Sequence, residues 1–300
     1  MHMAITGANS CVGNTLLRHV ADRDDLHARA GVRTQEAATS LPRGPRIASC
    51  VIRYGESDTL AALLDGVSCL VHLAGILVEN RHSSYQTANV DTTRAVVDAC
   101  RHTSVDHIVL ISALGADSSS RNGYYRSKGM AEQIVASSGV PATIIRTPLL
   151  LGPGAAAARA LVRMASRASV SVLGGGRHLL RPLDVDDVSH AILHCCQVRA
   201  PGVTVHELVG PEPVTHRDLI TATARLMGHN VTVATIPIWT AKLGAAMVGW
   251  ARPGGMTPAV IDVITADETV RTNADVDLGL SLTPLSATLE KLMPEKAGGS

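Results

Sequence analysis

Residues 1–33 read MHMAITGANSCVGNTLLRHVADRDDLHARAGVR, and the order of elements in this stretch decides the fold. Met3 to Thr6 predicts a short apolar strand. Gly7, Ser10 and Gly13 then punctuate a turn with the spacing G-x-x-S-x-x-G. Val12, Leu16, Leu17 and Val20 recur at helical spacing over Val12 to Ala21, and Leu26 to Val32 predicts a second strand. A tight turn from strand into helix leaves backbone N–H groups open beside a cleft, and such groups suit a pyrophosphate. Gly7, Asn9, Ser10, Cys11, Val12 and Gly13 are therefore the candidate nucleotide contacts. A glycine pattern alone is weak, but here it sits between the two elements that give it meaning.

The end of the second strand bears on which nucleotide fits. A dinucleotide fold that takes NAD usually carries an acid about twenty residues past the glycines, for the ribose 2′-OH. Asp22, Asp24 and Asp25 precede the strand here, and Arg29 and Arg33 are the charged candidates around its end. An arginine there attracts a 2′-phosphate, so the expectation is NADP, with NAD as the alternative. The plainer reading of Arg33 is a solvated loop residue.

Further along, Ala48 to Arg53, Val67 to Leu73, His107 to Ile111 and Val140 to Arg146 read as strands. Thr59 to Leu64, Ser84 to Arg101 and Tyr124 to Ser137 read as helices. The near-continuous apolar runs suit central parallel strands covered on both faces. The alternation over residues 1–150 predicts an α/β fold, a doubly wound parallel sheet. Ala74 and Gly75 follow the run HL at 72–73 and would let a ligand approach the backbone beyond a strand end. After 150 the rhythm loosens. Residues 151–294 read as a smaller C-terminal α/β region with some segments returning to the sheet, and 295–300 as a flexible tail. Asp186 and Asp187 are expected to open a helix, as is Thr215 with Asp218 three residues on. Val270 to Asn273 is a further extended segment, and Gly174–Gly176 a mobile turn. Trp239 and Trp250 are eleven apart and share a helix face, with packing or a pocket lid both open.

The chain of 300 residues is 46% hydrophobic and 18% charged with net charge +1, so no basic stripe calls for nucleic acid. Six cysteines form no C-x-x-C pair and read as buried free thiols in a reducing compartment. No H-E-x-x-H or Cys/His cluster suggests a metal, and His72 reads as a packed, hydrogen-bonded histidine. No basic segment with a following apolar run opens the chain. The apolar window Ile236 to Ala251 is broken by Lys242 and too short to span a bilayer, so a cytoplasmic protein is expected. Arg159, Arg163 and Arg167 make a basic helical face, read as solvated.

The chemical signal is Tyr124-x-x-x-Lys128. Four residues apart on one helix, phenol and ammonium share a face. A lysine charge beside a tyrosine is expected to lower the phenol pKa and ready it for proton transfer. Ser112 lies at the end of the preceding strand. Asn89 lies in a helix interior, either exposed and idle or bonded.

Taken together, TGANSCVG, HLAG at 72–75, Asn89, VLIS ending at Ser112, YYRSKGMAE at 124–132, IIRTPLLLGPG at 144–154 and PLDVDDV at 182–188 carry a resemblance. The chain resembles the extended and atypical short-chain dehydrogenase/reductase superfamily of Rossmann-type NAD(P)-binding proteins. Within it, the likeness is to NmrA-like proteins, to accessory subunits of respiratory complex I and to NAD-dependent epimerase/dehydratase relatives. The resemblance implies Gly7, Ser10 and Gly13 at the pyrophosphate, Arg33 at the ribose phosphate, and Ala74 and Gly75 along the cofactor. It implies Tyr124 as proton donor or acceptor, with Lys128 as its partner and ribose ligand. Ser112 would polarise a carbonyl, Asn89 would support a proton path and Pro148 would flank the nicotinamide. The chain departs from the pattern at Ser10, where relatives carry glycine, and at Ala113, where many carry the catalytic serine. Ser118, Ser119 and Ser120 are the loop substitutes. The implied activity is NADP(H)-linked carbonyl reduction of a small or apolar substrate. The alternative is a dinucleotide-binding sensor or an accessory protein with a protein partner. Monomer and homodimer both stay open.

Overall fold

The computed structural model describes residues 1–251 and 255–293, with residues 248–251 described by backbone alone. The expected tail at 295–300 and the side chain of Trp250 lie outside the described residues. The first half runs β1 (His2–Thr6), α1 (Cys11–Ala21), β2 (His27–Val32), α2 (Gln35–Thr39), β3 (Ile47–Val51), α3 (Ser57–Leu64) and β4 (Cys69–His72). A π-helical stretch (Gln86–Asp91) leads into α4 (Thr92–Cys100), β5 (His107–Ala113), α5 (Gly123–Ala136) and β6 (Ala142–Thr147). The remainder is β7 (Leu150–Leu151), α6 (Ala156–Ala165), β8 (Ser169–Leu173), β9 (Leu179–Leu180), β10 (Leu183–Asp184), α7 (Val185–Val198) and β11 (Val203–Glu207). Then come β12 (Val214–Thr215), α8 (His216–Leu226), β13 (Thr232–Ile236), α9 (Ile238–Ala251), α10 (Pro258–Ile264) and α11 (Leu285–Glu290).

Seven strands form one parallel sheet in the order β11-β6-β5-β4-β1-β2-β3. This is the doubly wound α/β fold read from the sequence. The order reverses between β1 and β4, and the crevice beyond the carboxyl ends of those two strands is where such sheets take ligands. One face of the sheet is covered by α1 and α7 through Leu16, Leu17, Val20, Val188 and Ile192. The other is covered by α3, α4 and α5 through Leu60, Leu63, Val96, Val97 and Val135. With aliphatic layers on both sides, β1, β4 and β5 are buried almost throughout. A separate apolar cluster around Leu161, Val172, Leu219 and Ile220 holds α6, β8 and α8 together. The C-terminal segment that returns to the sheet is β11, paired with β6.

Asp186 and Asp187 stand in the first turn of α7 as expected, behind Asp184 as N-cap, and Asp187 is buried against Thr283, accepting from its N–H at 2.9 Å and its hydroxyl at 2.8 Å. Other local expectations change. No strand forms at Val270–Asn273. The Asn273 side chain instead pairs with the backbone of Val209, in both directions, at 2.9 and 3.0 Å. Gly174–Gly176 is a tight turn with Gly175 and Gly176 buried. All three have positive φ, and Arg217 donates to the Gly175 carbonyl at 3.0 Å. Trp239 does not pack inward: it is 69% exposed. Thr215 caps α8 as expected, accepting from Asp218 N–H at 3.1 Å and donating to its carboxylate at 2.7 Å. The cysteines are free thiols, with the buried Cys69 and Cys196 sulfurs 3.1 Å apart. His72 is buried between the hydroxyls of Thr6, 2.6 Å away, and Thr93, 3.1 Å away, and burial pulls its pKa down to about 3. Among the described residues no helix is long and apolar enough to cross a membrane.

Candidate functional site

The turn from β1 into α1 is assembled from backbone. Gly7 takes φ +70°, and a Cβ there would stand 2.9 Å from the Ala74 nitrogen. Glycine therefore lets the end of β1 touch the end of β4 directly. A Cβ on Gly13 would press into the Ala8 carbonyl, 2.7 Å from its carbon, so Gly13 serves close packing of helix on turn. Ser10 is the N-cap of α1, and its Oγ accepts from Gly13 N–H at 3.0 Å. Capping is what serine does well at this position. While accepting that bond, the hydroxyl keeps its own proton as a free donor. Behind this turn Val12 joins the core, while half-buried Cys11 packs against both the sheet core and the C-terminal apolar cluster.

A cleft opens beyond β1 and β4. Gly7, Asn9 and Ser10 line it on one side, and Ala74 and Gly75 on the other. Arg33 and Tyr54 also line it. Arg33 is exposed, one residue past β2. Burial pushes the Tyr54 phenol up to about 12, against the pull of Thr6 and Arg33 beside it. Tyr54, Ile76, Ala88 and Thr92 also line this cleft and were not foreseen. Nothing local in the sequence ties Tyr54 to the glycine turn.

Beside Gly75 the sheet and two helices converge. Asn89 is buried. Its Oδ1 accepts from Ile76 N–H at 2.7 Å, and its Nδ2 donates to the Ile76 carbonyl at 3.2 Å and to Ser127 Oγ at 2.9 Å. Ser127 passes its own proton to the Tyr124 carbonyl at 2.7 Å. The idle, exposed reading of Asn89 is therefore corrected: the residue ties α5 to the loop after β4. The π-helical stretch around it, in place of a regular helix, carries that side chain inward. Lys128 is buried, and its Nζ donates to the Ile111 carbonyl at 2.8 Å. A Cβ on Gly75 would sit 3.1 Å from Asn89 Oδ1 and 3.8 Å from Lys128 Nζ, so glycine, amide and ammonium face one small space. Ser112 lies inside β5 and is buried, and its Oγ has no hydrogen-bond partner among the described residues. A buried hydroxyl left without a partner signals a missing ligand or water.

Tyr124 opens α5, its ring centre 6.0 Å from Tyr85 and 5.6 Å from Tyr125. The expectation that Lys128 lowers its pKa is corrected. Burial, with the neighbouring phenols Tyr125 and Tyr85, pushes Tyr124 above the ordinary tyrosine value. Burial in turn pulls Lys128 down to about 8, partly opposed by Glu132. The loop serines are occupied locally. Ser118 accepts from Gln133, Ser119 bonds Asp117, and Ser120 accepts from Asn122 N–H. Pro148 follows β6, and the next residue is held by a carboxylate that sequence reasoning missed. Glu268 accepts from Leu149 N–H at 2.6 Å and from Arg181 N–H at 2.8 Å, and burial raises its pKa. No local pattern near Glu268 reveals these partners, which lie 119 and 87 residues away.

The residues fit a dinucleotide. Glycines at 7 and 75 bring bare backbone to the cleft from two sides, and the first turn of α1 supplies N–H groups. Comparison with known proteins agrees. Ceramide reductase of Caulobacter vibrioides is 26% identical over 299 residues, 99% of this chain and 90% of that protein. The mitochondrial NADH dehydrogenase (ubiquinone) 1 alpha subcomplex subunit 9 of Arabidopsis thaliana is 24% identical over 194 residues, 64% of this chain and 48% of that one. Among solved structures, MoeE5 in complex with UDP-glucose and NAD superposes with a TM-score of 0.76 at 20% identity, covering 97% of each chain. WbmF of Bordetella bronchiseptica with NADH gives 0.75 at 17% identity, covering 97% of this chain and 90% of its own. These two likenesses establish the shared fold. Residues 7–170, more than half of the sequence, match the family described as NAD(P)H-binding, and the chain belongs to that family.

Proposed function

We propose that the protein reduces a carbonyl on an apolar, lipid-class substrate with NADP(H). The observation that carries this reading is the convergence of Gly75, Asn89 and Lys128, with the unpartnered Ser112 hydroxyl one residue beyond the carbonyl that Lys128 holds. The cofactor, when bound, supplies the hydride. The chain's own residues then have separate tasks. Ser112 Oγ–H donates to the carbonyl oxygen, and Tyr124 gives that oxygen its proton as negative charge develops there. A phenol kept above its ordinary pKa stays protonated at neutral pH, which is the form a reduction needs and the reverse oxidation does not. Lys128 presents a positive charge beside Gly75, where a ribose hydroxyl would lie. Asn89 fixes the start of α5 through Ser127, so that Tyr124 and Lys128 keep their relative positions. Arg33, in the lining of the cleft, suits a 2′-phosphate, which favours NADP over NAD. The name of the relative that matches almost the full chain, a ceramide reductase, supports a lipid carbonyl.

The test is turnover of long-chain keto-lipids with NADPH by wild type and by Tyr124→Phe. The variant should lose roughly 10²–10⁴ in kcat while its Kd for NADPH stays the same. Equal turnover by both proteins would remove Tyr124 from the chemistry. A second reading is favoured by Ala113, which replaces a donor that carbonyl reduction uses, and by the likeness to a respiratory-complex subunit. In that reading the protein binds the dinucleotide within an assembly, and NADPH would bind with no turnover of any carbonyl.

A further inference from the structure

The helix α9 is apolar all round, with Lys242 its one charged residue, and only 14 residues long. Helices of that composition are normally buried on every side. Here one side packs on α10, joined by the Lys242–Asp262 ion pair, with Ala245 buried. The other side is open: Trp239, Leu243 and Met247 form a stripe at spacings of four, 69%, 58% and 71% exposed, with Gly244 and Ala246 between them. The stripe connects to the start of α5. The helix α10 carries Ala259, whose carbonyl accepts from Asn122, the N-cap of Tyr124's helix. Beside Tyr124, Tyr85 donates to the Leu77 carbonyl, and Leu77 and Val78 are themselves exposed.

We propose that this face, α9 with the Leu77–Val78 loop, lies on an anionic lipid bilayer and admits the substrate from it. Charge argues for a bilayer over a protein. Arg81, Arg121 and Arg126 flank the Leu77–Val78 loop and the start of α5, all exposed. Among the described residues none of the three is paired with a carboxylate. An uncharged stripe with tryptophan at one end, on a face that also carries unpaired arginines by the Leu77–Val78 loop, suits a helix lying in the headgroup layer. At about 1.5 Å per residue the helix is too short to span. The delivery of substrate rests on the carbonyl-reductase reading; the docking does not.

The test is flotation of the full-length protein with phosphatidylcholine vesicles, with and without phosphatidylglycerol. Wild type should float with the anionic vesicles and weakly with the neutral ones. Leu243→Glu with Met247→Glu should lower the bound fraction at least tenfold, and Arg81→Glu with Arg121→Glu severalfold. The α9 variant should keep NADPH affinity and turnover of a water-soluble short-chain ketone, while losing turnover of a vesicle-borne one. Absence of flotation by wild type, or variants that float as well as wild type, overturns the proposal. So does a wild-type dimer that Leu243→Glu converts to monomer, since a second copy would then cover the face. Flotation lost in the variant with no turnover in either protein keeps the docking and removes the reductase reading.

Discussion

At the glycine turn, Gly7, Gly13, Ala8 and Ala74 meet backbone to backbone, whereas beside Gly75 it is two buried side chains from different elements, Asn89 and Lys128, that meet. The first half is a shape, and what it cannot accept is added volume. The second half is a set of charges and donors, and what it cannot accept is a change of chemistry at constant volume. Ser10 illustrates the first rule, since a side chain is tolerated where it turns to cap α1. Lys128 illustrates the second, since an ammonium is kept buried against a carbonyl although burial disfavours its charge.

Four changes break or sharpen this contrast. Gly13→Val should be the most damaging, because the Ala8 backbone cannot move aside. It should cost about 3 kcal/mol, a fall in Tm of roughly 5–10 °C, together with dinucleotide affinity. Gly55→Ala is the control, since nothing lies within 4 Å of a Cβ there, and calorimetry should find its Tm unchanged.

Lys128→Met addresses the other half through pH. The unfolded chain holds this proton to about 10.5, whereas the folded protein releases it near 8. The unfolded state therefore binds more protons between those values, and the lysine's burial penalty is relieved as pH rises through that window. Urea titrations at pH 7.5 and 10 should show wild type gaining about 2–3 kcal/mol relative to the methionine variant. Parallel curves would mean that the folded protein holds this proton as tightly as the unfolded chain does, and that burial does not depress the amine.

Arg33→Ala should raise the Kd for NADPH about tenfold, near 1.4 kcal/mol, and leave NADH alone. An equal loss for both would make Arg33 a general contact. Ser10→Ala should be the mildest, removing a helix cap worth about 1 kcal/mol, with Ser10→Gly losing only a few tenths. A large loss of NADPH affinity in Ser10→Gly would instead show the hydroxyl bonding phosphate.

The same contrast explains what the sequence made legible. The turn and the central strands announce themselves locally, because a glycine turn and aliphatic runs are short-range patterns. The Tyr124–Lys128 spacing is equally local. Asn89 is not, since its role depends on Ile76 and on Ser127, 38 residues away, and on a π-helical turn that no periodicity signals. Glu268 and Asn273 escaped for the same reason: each side chain completes backbone hydrogen bonding in a distant segment. The pKa of Tyr124 was misjudged because spacing on a helix reveals the lysine but not the two other phenols or the burial around it.

The seam between β6 and β11 has a consequence for synthesis. Sixty-one residues separate Arg146 from the Glu207 that pairs with it. As the chain leaves the ribosome, β6 emerges first and offers an open, largely apolar strand edge until β11 follows, roughly 3–12 s later at ordinary translation rates. Such an edge is an invitation to strands of other nascent chains. A product released after β6 but before β11 would carry a complete glycine turn and the whole Tyr124–Lys128 helix, yet should aggregate for want of five residues at its margin.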